Sequence, residues 1–247
     1  MVSTRVLGSP IQLSLPEANG RAANPETPTG SIEPLEFVKH GNPFTMDRLF
    51  VGLEPAWGGV DAIEFTEDMP VSFVTRVNRS QHDIPLHSLR ETSHKHLFNL
   101  KEVFVTEQSL FLFYPEWEGI SLKEIQTLRP IFQLGEVEVA TVCYQIFQGL
   151  RYIHDTLNIS HGNIREENIY IHKNGDVKIA RIGESMGREL NDEERSRDIM
   201  ATLQIVRKLL GLQLNTGGRG IMELLAHDFT GAPQDTTIDQ LLQVSSS

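Results

Sequence analysis

Between Gly135 and Leu157, apolar residues recur at every third or fourth position: Val139, Val142, Cys143, Ile146, Leu150 and Ile153. One continuous stripe at that period predicts a helix with one buried face. A second stripe, Ile199, Leu203, Val206 and Leu210, predicts a helix over Asp198–Gly211, with Gly211 as its stop. Two short helices are expected at Ile221–Ala226 and Ile238–Val244, the latter opened by a capping box of Thr237 and Gln240. Before residue 115 the pattern is of short strands. Arg48–Gly52 pairs with Ala62–Phe65, Pro70–Val77 follows, and Lys101–Val105 with Ser109–Phe113 makes a hairpin around Thr106–Gln108. Asn168–His172 and Val177–Ala180 flank Lys173-Asn-Gly-Asp176, and Asn-Gly is the strongest short-range hairpin signal. Residues 1–34 are rich in Pro, Ser, Thr, Gly and Asn and read as a disordered tail.

Composition narrows the function. A net charge of −11 argues against nucleic acid or an anionic membrane as partner. The single cysteine, Cys143, allows no internal disulfide, and on an apolar helix face it is a buried thiol. No apolar run reaches membrane-spanning length. The first twenty residues lack a continuous apolar core and contain Pro10 and Pro16, so a secreted protein is not expected and a cytoplasmic or nuclear one is. His82, His87, His94 and His96 lie close in sequence, but without cysteines or a carboxylate pair they do not make a metal site. Gly217, Gly218 and Gly220 follow no strand and do not make a phosphate loop.

The stretch Ile159–Gly183 carries the chemistry. The pattern H-R-D-L-x-x-x-N falls on His161, Gly162, Asn163, Ile164 and Asn168, and D-F-G falls on Arg181, Ile182 and Gly183. This resembles the catalytic and metal loops of protein kinases, and His161-Gly-Asn163 is similar to the loop of the pseudokinase domains in Janus kinases. The resemblance implies an α+β, bilobal fold over 35–247: a small β-rich N-lobe (35–114) and a trimmed, mainly helical C-lobe (118–244). It also assigns positions. Phe73–Arg76 stands at V-A-I-K, so Val74 replaces the alanine and Arg76 the lysine. The segment 81–93 should hold the helix that in the family carries the glutamate paired with that lysine, starting at Pro85, but no acidic residue matches the glutamate, Asp83 being a distant candidate. His94–Leu100 resembles the linker that follows. Tyr114–Gly119, with Trp117, is the hinge, and Tyr170 lies at the floor of the adenine site. Leu100, Leu89, Ile182 and His161 form the apolar column between lobes.

Each departure removes a function. Asn163 stands where the family aspartate accepts the substrate proton, and an amide is not a base. Arg181 stands where an aspartate holds magnesium, and a guanidinium repels a metal ion. Gly52, Gly58 and Gly59 lack phosphate-loop spacing. Gly183 and Asp198 are fifteen positions apart and no A-P-E precedes Asp198, so the activation segment is missing. The bulky Val74, Tyr114 and Tyr170 are expected to fill the nucleotide cleft with the protein's own side chains. The resemblance therefore implies a pseudokinase: a regulatory, protein-binding module without catalytic residues, metal or cofactor, whose partner is a protein. Two alternatives stand beside it: a divergent Ser/Thr kinase using ATP, and a metal-independent nucleotide sensor in which Arg76 and Arg181 face the cleft. Against the last stands pairing of Arg181 with Glu166 or Glu167.

Overall fold

A computed structural model describes residues 37–43, 49–52, 62–65, 72–80, 84–115, 119–128, 134–212, 226 and 228–244. The expected tail, Trp117, the Gly58-Gly59 pair, the Gly217–Gly220 stretch and most of Ile221–Ala226 lie outside these residues.

Six strands form one sheet in the order β1-β5-β6-β4-β3-β2. They are β1 (Val38–His40), β2 (Leu49–Gly52), β3 (Ala62–Phe65), β4 (Ser72–Asn78), β5 (Glu102–Val105) and β6 (Ser109–Pro115). All neighbours are antiparallel except β1, which runs parallel to β5. The β5–β6 hairpin and the β2–β3 pair are those the alternation predicts. The inner face of β4 and β6, with Val77, Leu110, Leu112 and Tyr114, joins the same core as the helices below. On the other face, Val74, Phe104, Phe111 and Phe113 form a separate apolar cluster.

The second part opens with β7 (Ile120–Ser121) and α1 (Leu122–Thr127). Ser121 caps α1 through a complete capping box with Glu124. The long helix α2 (Glu136–Arg151) buries Val139, Val142, Cys143, Ile146, Phe147 and Leu150, as its stripe dictates. Burial pushes the Cys143 thiol up to about 12, so it is inert at neutral pH. A five-residue π turn, Tyr152–Thr156, widens the end of α2 and brings both Ile153 and His154 inside. The strands β8 (Ile169–Ile171) and β9 (Val177–Ile179) pair with β7 in a small sheet. Gly175, at φ +85°, makes their hairpin turn. The helices α3 (Asp192–Leu209) and α4 (Ile238–Val244) complete the part, and the Thr237/Gln240 box is present at α4.

Two sequence expectations are corrected. The helix expected from Pro85 is a single 3₁₀ turn, Leu86–Ser88, in an otherwise extended segment. Extended, it buries Ile84, Leu89 and Thr92, and Thr92 exchanges hydrogen bonds with Leu100. Among the described residues of this segment, no glutamate sits on a helix facing β4. The helix expected from Asp198 starts six residues earlier. Asn191 caps it by accepting from the Glu194 N–H at 2.8 Å, and Asp192, Glu193 and Glu194 lie in its positive first turn. Polar capping and the Arg197–Glu193 pair hold that turn, so an apolar stripe could not reveal it.

Candidate functional site

The loop from Ser160 to Asn168 is organised around Asp198, which α3 delivers in its second turn. The carboxylate is 2% exposed. Its Oδ2 accepts from the His161 N–H at 2.7 Å and from His154 Nε2 at 2.9 Å, and its Oδ1 accepts from the Gly162 N–H at 2.8 Å. Burial alone would raise its pKa, but the hydrogen bonds from His154 and from the His161 and Gly162 N–H groups outweigh it and hold the carboxyl below its usual range.

His161 is fully buried. Its Nε2 donates to the Ala180 carbonyl at 2.9 Å and its Nδ1 accepts from the Asn163 N–H at 3.3 Å. Burial lowers its pKa, so the ring is held neutral. Asn168, also buried, donates its amide to the Asn163 carbonyl at 2.9 Å. The loop therefore keeps its shape by bonds among His161, Asn163 and Asn168, none of which requires a carboxylate at 163.

Arg181 occupies a left-handed conformation, φ +66°, that a side chain adopts only under constraint. Its Nη1 is 2.6 Å from Glu184 Oε1, and both side chains are largely buried, 11% and 21% exposed. This corrects the expected pairing: Glu166 is held by Lys208 and Gln126, and Glu167 by Arg165 at 3.9 Å. Glu166, on its own 3₁₀ turn, reaches Gln126 of α1 and Lys208 of α3, whereas Glu184 lies one 3₁₀ turn after Arg181.

The cleft side of the sheet needs a second correction. Thr75 pairs in register with Leu112 and Phe73 with Tyr114, so these share the inner face; Val74 and Arg76 pair with Phe113 and Phe111 on the outer face. The residue facing inward at the family lysine is thus Thr75, while Arg76 points away from the cleft. A strand reverses faces with each residue, so an alignment slip of one exchanges them. Arg76 and Arg181 do not converge on one anion.

Tyr114 is fully buried, and its phenol oxygen accepts from the Gly183 N–H at 3.1 Å. Burial, chiefly, raises its pKa far beyond the physiological range. A Cβ on Gly183 would approach that oxygen to 2.6 Å, which explains glycine there. Tyr170 is covered edge-on by Phe98, ring centroids 5.3 Å apart, and Phe98 is itself buried. Phe98, Thr75 and Glu184 were not singled out from sequence; only the bulk of Phe98 within His94–Leu100 could have signalled its role. Leu89, Leu100 and Ile182, expected in the column between lobes, all belong to the main core, and His161 is buried.

The segment after Gly183 folds back onto the loop. Ser185 Oγ donates to the His161 carbonyl at 2.8 Å, Ser160 Oγ donates to the Glu189 carbonyl at 3.2 Å, and Met186 is buried. Gly162, at φ +65°, lies under Arg188, whose guanidinium would be 2.6 Å from a Cβ there. Among the described residues no group of His, Cys, Asp and Glu is arranged to hold a metal ion. His96 instead bonds the Val177 carbonyl at 3.0 Å, and His94 stacks on Tyr152.

Burial depresses the pKa of His94, His96 and His161 below 6.5. Above 6.5 these rings are neutral folded and unfolded. Below it the unfolded chain takes up protons that the folded one refuses, so stability is lost as pH falls. We expect the melting temperature to decline from about pH 6.5 downward, before the carboxylates titrate. A flat profile between pH 7 and 5 would contradict this.

The protein kinase domain family matches residues 76–205, more than half of the chain. The chain is 31% identical over 107 residues to the dual specificity mitogen-activated protein kinase kinase 1 of Dictyostelium discoideum, covering 43% of this chain and 16% of that protein. It is 26% identical over 141 residues to the serine/threonine-protein kinase shk1/pak1 of Schizosaccharomyces pombe, covering 55% and 21%. With the mitogen-activated protein kinase HOG1 of Scheffersomyces stipitis it shares 30% over 114 residues, 46% and 28%. The aligned part thus spans well under a third of each relative. The match begins on β4 and runs through Asp198, over the same sheet and loops whose spacing and bonds are described above, and the chain belongs to the protein kinase domain family.

Proposed function

We propose that this chain is a pseudokinase: a regulatory module that binds a protein partner and transfers no phosphate. The observation that carries the reading is the Arg181–Glu184 pair. Where the family places a metal-binding carboxylate, a guanidinium sits at 2.6 Å from its own counter-ion. A divalent cation brought there would meet a fixed positive charge. The residues present do not fit magnesium, and no phosphoryl-transfer step is derived through it. Asn163 supplies no base, and Thr75 supplies no cation on the cleft face. Phe98 covers Tyr170 and Tyr114 bonds the Gly183 turn, which supports a cleft closed by the protein's own side chains, and Ser185 and Glu189 bond back onto the loop.

No helix among the described residues is long and apolar enough to cross a membrane. A protein partner accords with the net charge of −11.

The test is thermal melting with ATP, with and without magnesium, beside radiolabelled phosphate transfer. No shift and no transfer are expected. The doubly restored Asn163→Asp, Arg181→Asp variant is also expected to stay inactive, because Thr75 still lacks the positive charge. A magnesium-dependent shift, or transfer lost in Asn163→Ala, would overturn the proposal.

A further inference from the structure

Arg76 points away from the cleft, into a groove of about 420 Å³ on the outer face of the sheet. Two features fix its guanidinium. Its Nε donates to Ser109 Oγ at 2.9 Å, and its Cζ lies 6.0 Å from the centre of the Phe111 ring. With Nε committed, both terminal nitrogens remain available, and no carboxylate among the described residues pairs with them.

The turn from β5 to β6 that walls the groove is rigid: the Ser109 N–H donates to Thr106 Oγ1 at 2.9 Å, and that hydroxyl donates back to the Ser109 carbonyl at 3.0 Å. Arg79 is anchored on the same turn, its Nη1 donating to the Thr106 carbonyl at 3.2 Å and its N–H to the Gln108 carbonyl at 3.0 Å. Two guanidinium groups thus converge on one hairpin of a chain whose net charge is −11. Asn42 and Gln108 add amides to the lining, and Glu107 adds one carboxylate to it.

We infer that this groove binds a single phosphoryl group carried on an otherwise uncharged segment of a partner protein. A fork held by its Nε and by a ring face offers two parallel donors, the geometry that suits a tetrahedral oxyanion. The groove exceeds the volume of a lone anion, which leaves room for flanking residues. Glu107 repels a run of acidic side chains, which limits the site to one anionic group. The site lies on the opposite face from the ATP cleft, so it stands or falls independently of the absence of phosphate transfer.

The test uses the full chain and a fluorescent pentapeptide with one central phosphoserine, its aspartate and serine counterparts, and inorganic phosphate. Anisotropy is expected to show binding of the phosphoserine form only. Arg76→Gln should weaken it about tenfold or more at an unchanged melting temperature. Arg76→Lys should recover little, because the charge survives without the fork, and Glu107→Gln should tighten binding. No binding by the native chain, or equal binding by Arg76→Gln, overturns the site. Should Arg76→Gln melt early, Glu107→Gln decides, and no tightening there sinks the proposal. Equal binding of the aspartate peptide overturns the phosphoryl assignment, and equal binding of inorganic phosphate overturns the peptide partner.

Discussion

Asp198→Ala is expected to lower the free energy of unfolding by about 3–5 kcal/mol, the range for removing one partner of a buried, hydrogen-bonded charge. That is a large share of the roughly 5–15 kcal/mol that holds a domain folded. The reason is the number of donors left behind. The His161 and Gly162 N–H groups and His154 Nε2 all point at this carboxylate, and the His161 and His154 donors are buried with it. His154 Nδ1 is already buried without a partner, so the ring has no second anchor. Asp198→Asn separates shape from charge. An amide offers one oxygen, so its NH₂ must face either Gly162 N–H or the pair from His161 and His154, and donor opposes donor. We therefore expect the asparagine variant to be destabilised as well, though less than the alanine. Urea unfolding gives the energies, and hydrogen exchange at the His161 and Gly162 amides reports whether the loop loosens before the molecule unfolds. A loss under about 1 kcal/mol for Asp198→Ala would show that α3 does not hold the loop. The depressed pKa adds a pH signature. Its contribution is present above the unfolded value of 3.8 and disappears as pH falls through the lower folded value.

Tyr114→Ala is expected to be nearly as damaging, about 3–5 kcal/mol, as for other large aromatic side chains truncated in a core. The ring is fully buried between β4 and the Gly183 turn, against Leu112. The phenylalanine variant isolates the hydroxyl. It leaves the Gly183 N–H buried without its acceptor, a loss of about 1–3 kcal/mol, while keeping the ring. The gap between the two variants measures how far the ring itself fills the cleft. The same pair probes function. If the cleft is closed by the protein's own side chains, Tyr114→Ala opens a cavity, and the native chain should resist small apolar ligands that the variant accepts. Equal ligand binding by both would mean that Tyr114 does not occupy that space.

The two variants act on different parts of one plan. Asp198 holds the catalytic loop to the helices, and Tyr114 ties the sheet to the turn that follows β9. Both ties are architectural, and neither needs a metal or a base. The chain keeps these ties while placing Asn163 and Arg181 at the chemical positions, and the pseudokinase proposal rests on that combination of retained shape and changed chemistry.

Periodicity and spacing along the chain determined a good deal of this. The stripe of α2, the Asn-Gly turn between β8 and β9 and the β5–β6 hairpin are local patterns, each decided by residues a few positions apart, and the His161…Asn168…Gly183 spacing is read directly along the chain. The identity of an amide at 163 and a guanidinium at 181 needed no structure either. Only tertiary packing decided which face of β4 looks into the cleft, because that turns on register against β6, and a step of one residue exchanges Thr75 for Arg76. Packing also chose Glu184 as the partner of Arg181, since three carboxylates are close in sequence and only the backbone turn after β9 brings one within 2.6 Å. The extended course of 84–93 was decided the same way: Ile84, Leu89 and Thr92 bury themselves against Leu100 and its neighbours without a helix, a long-range gain that no local propensity records.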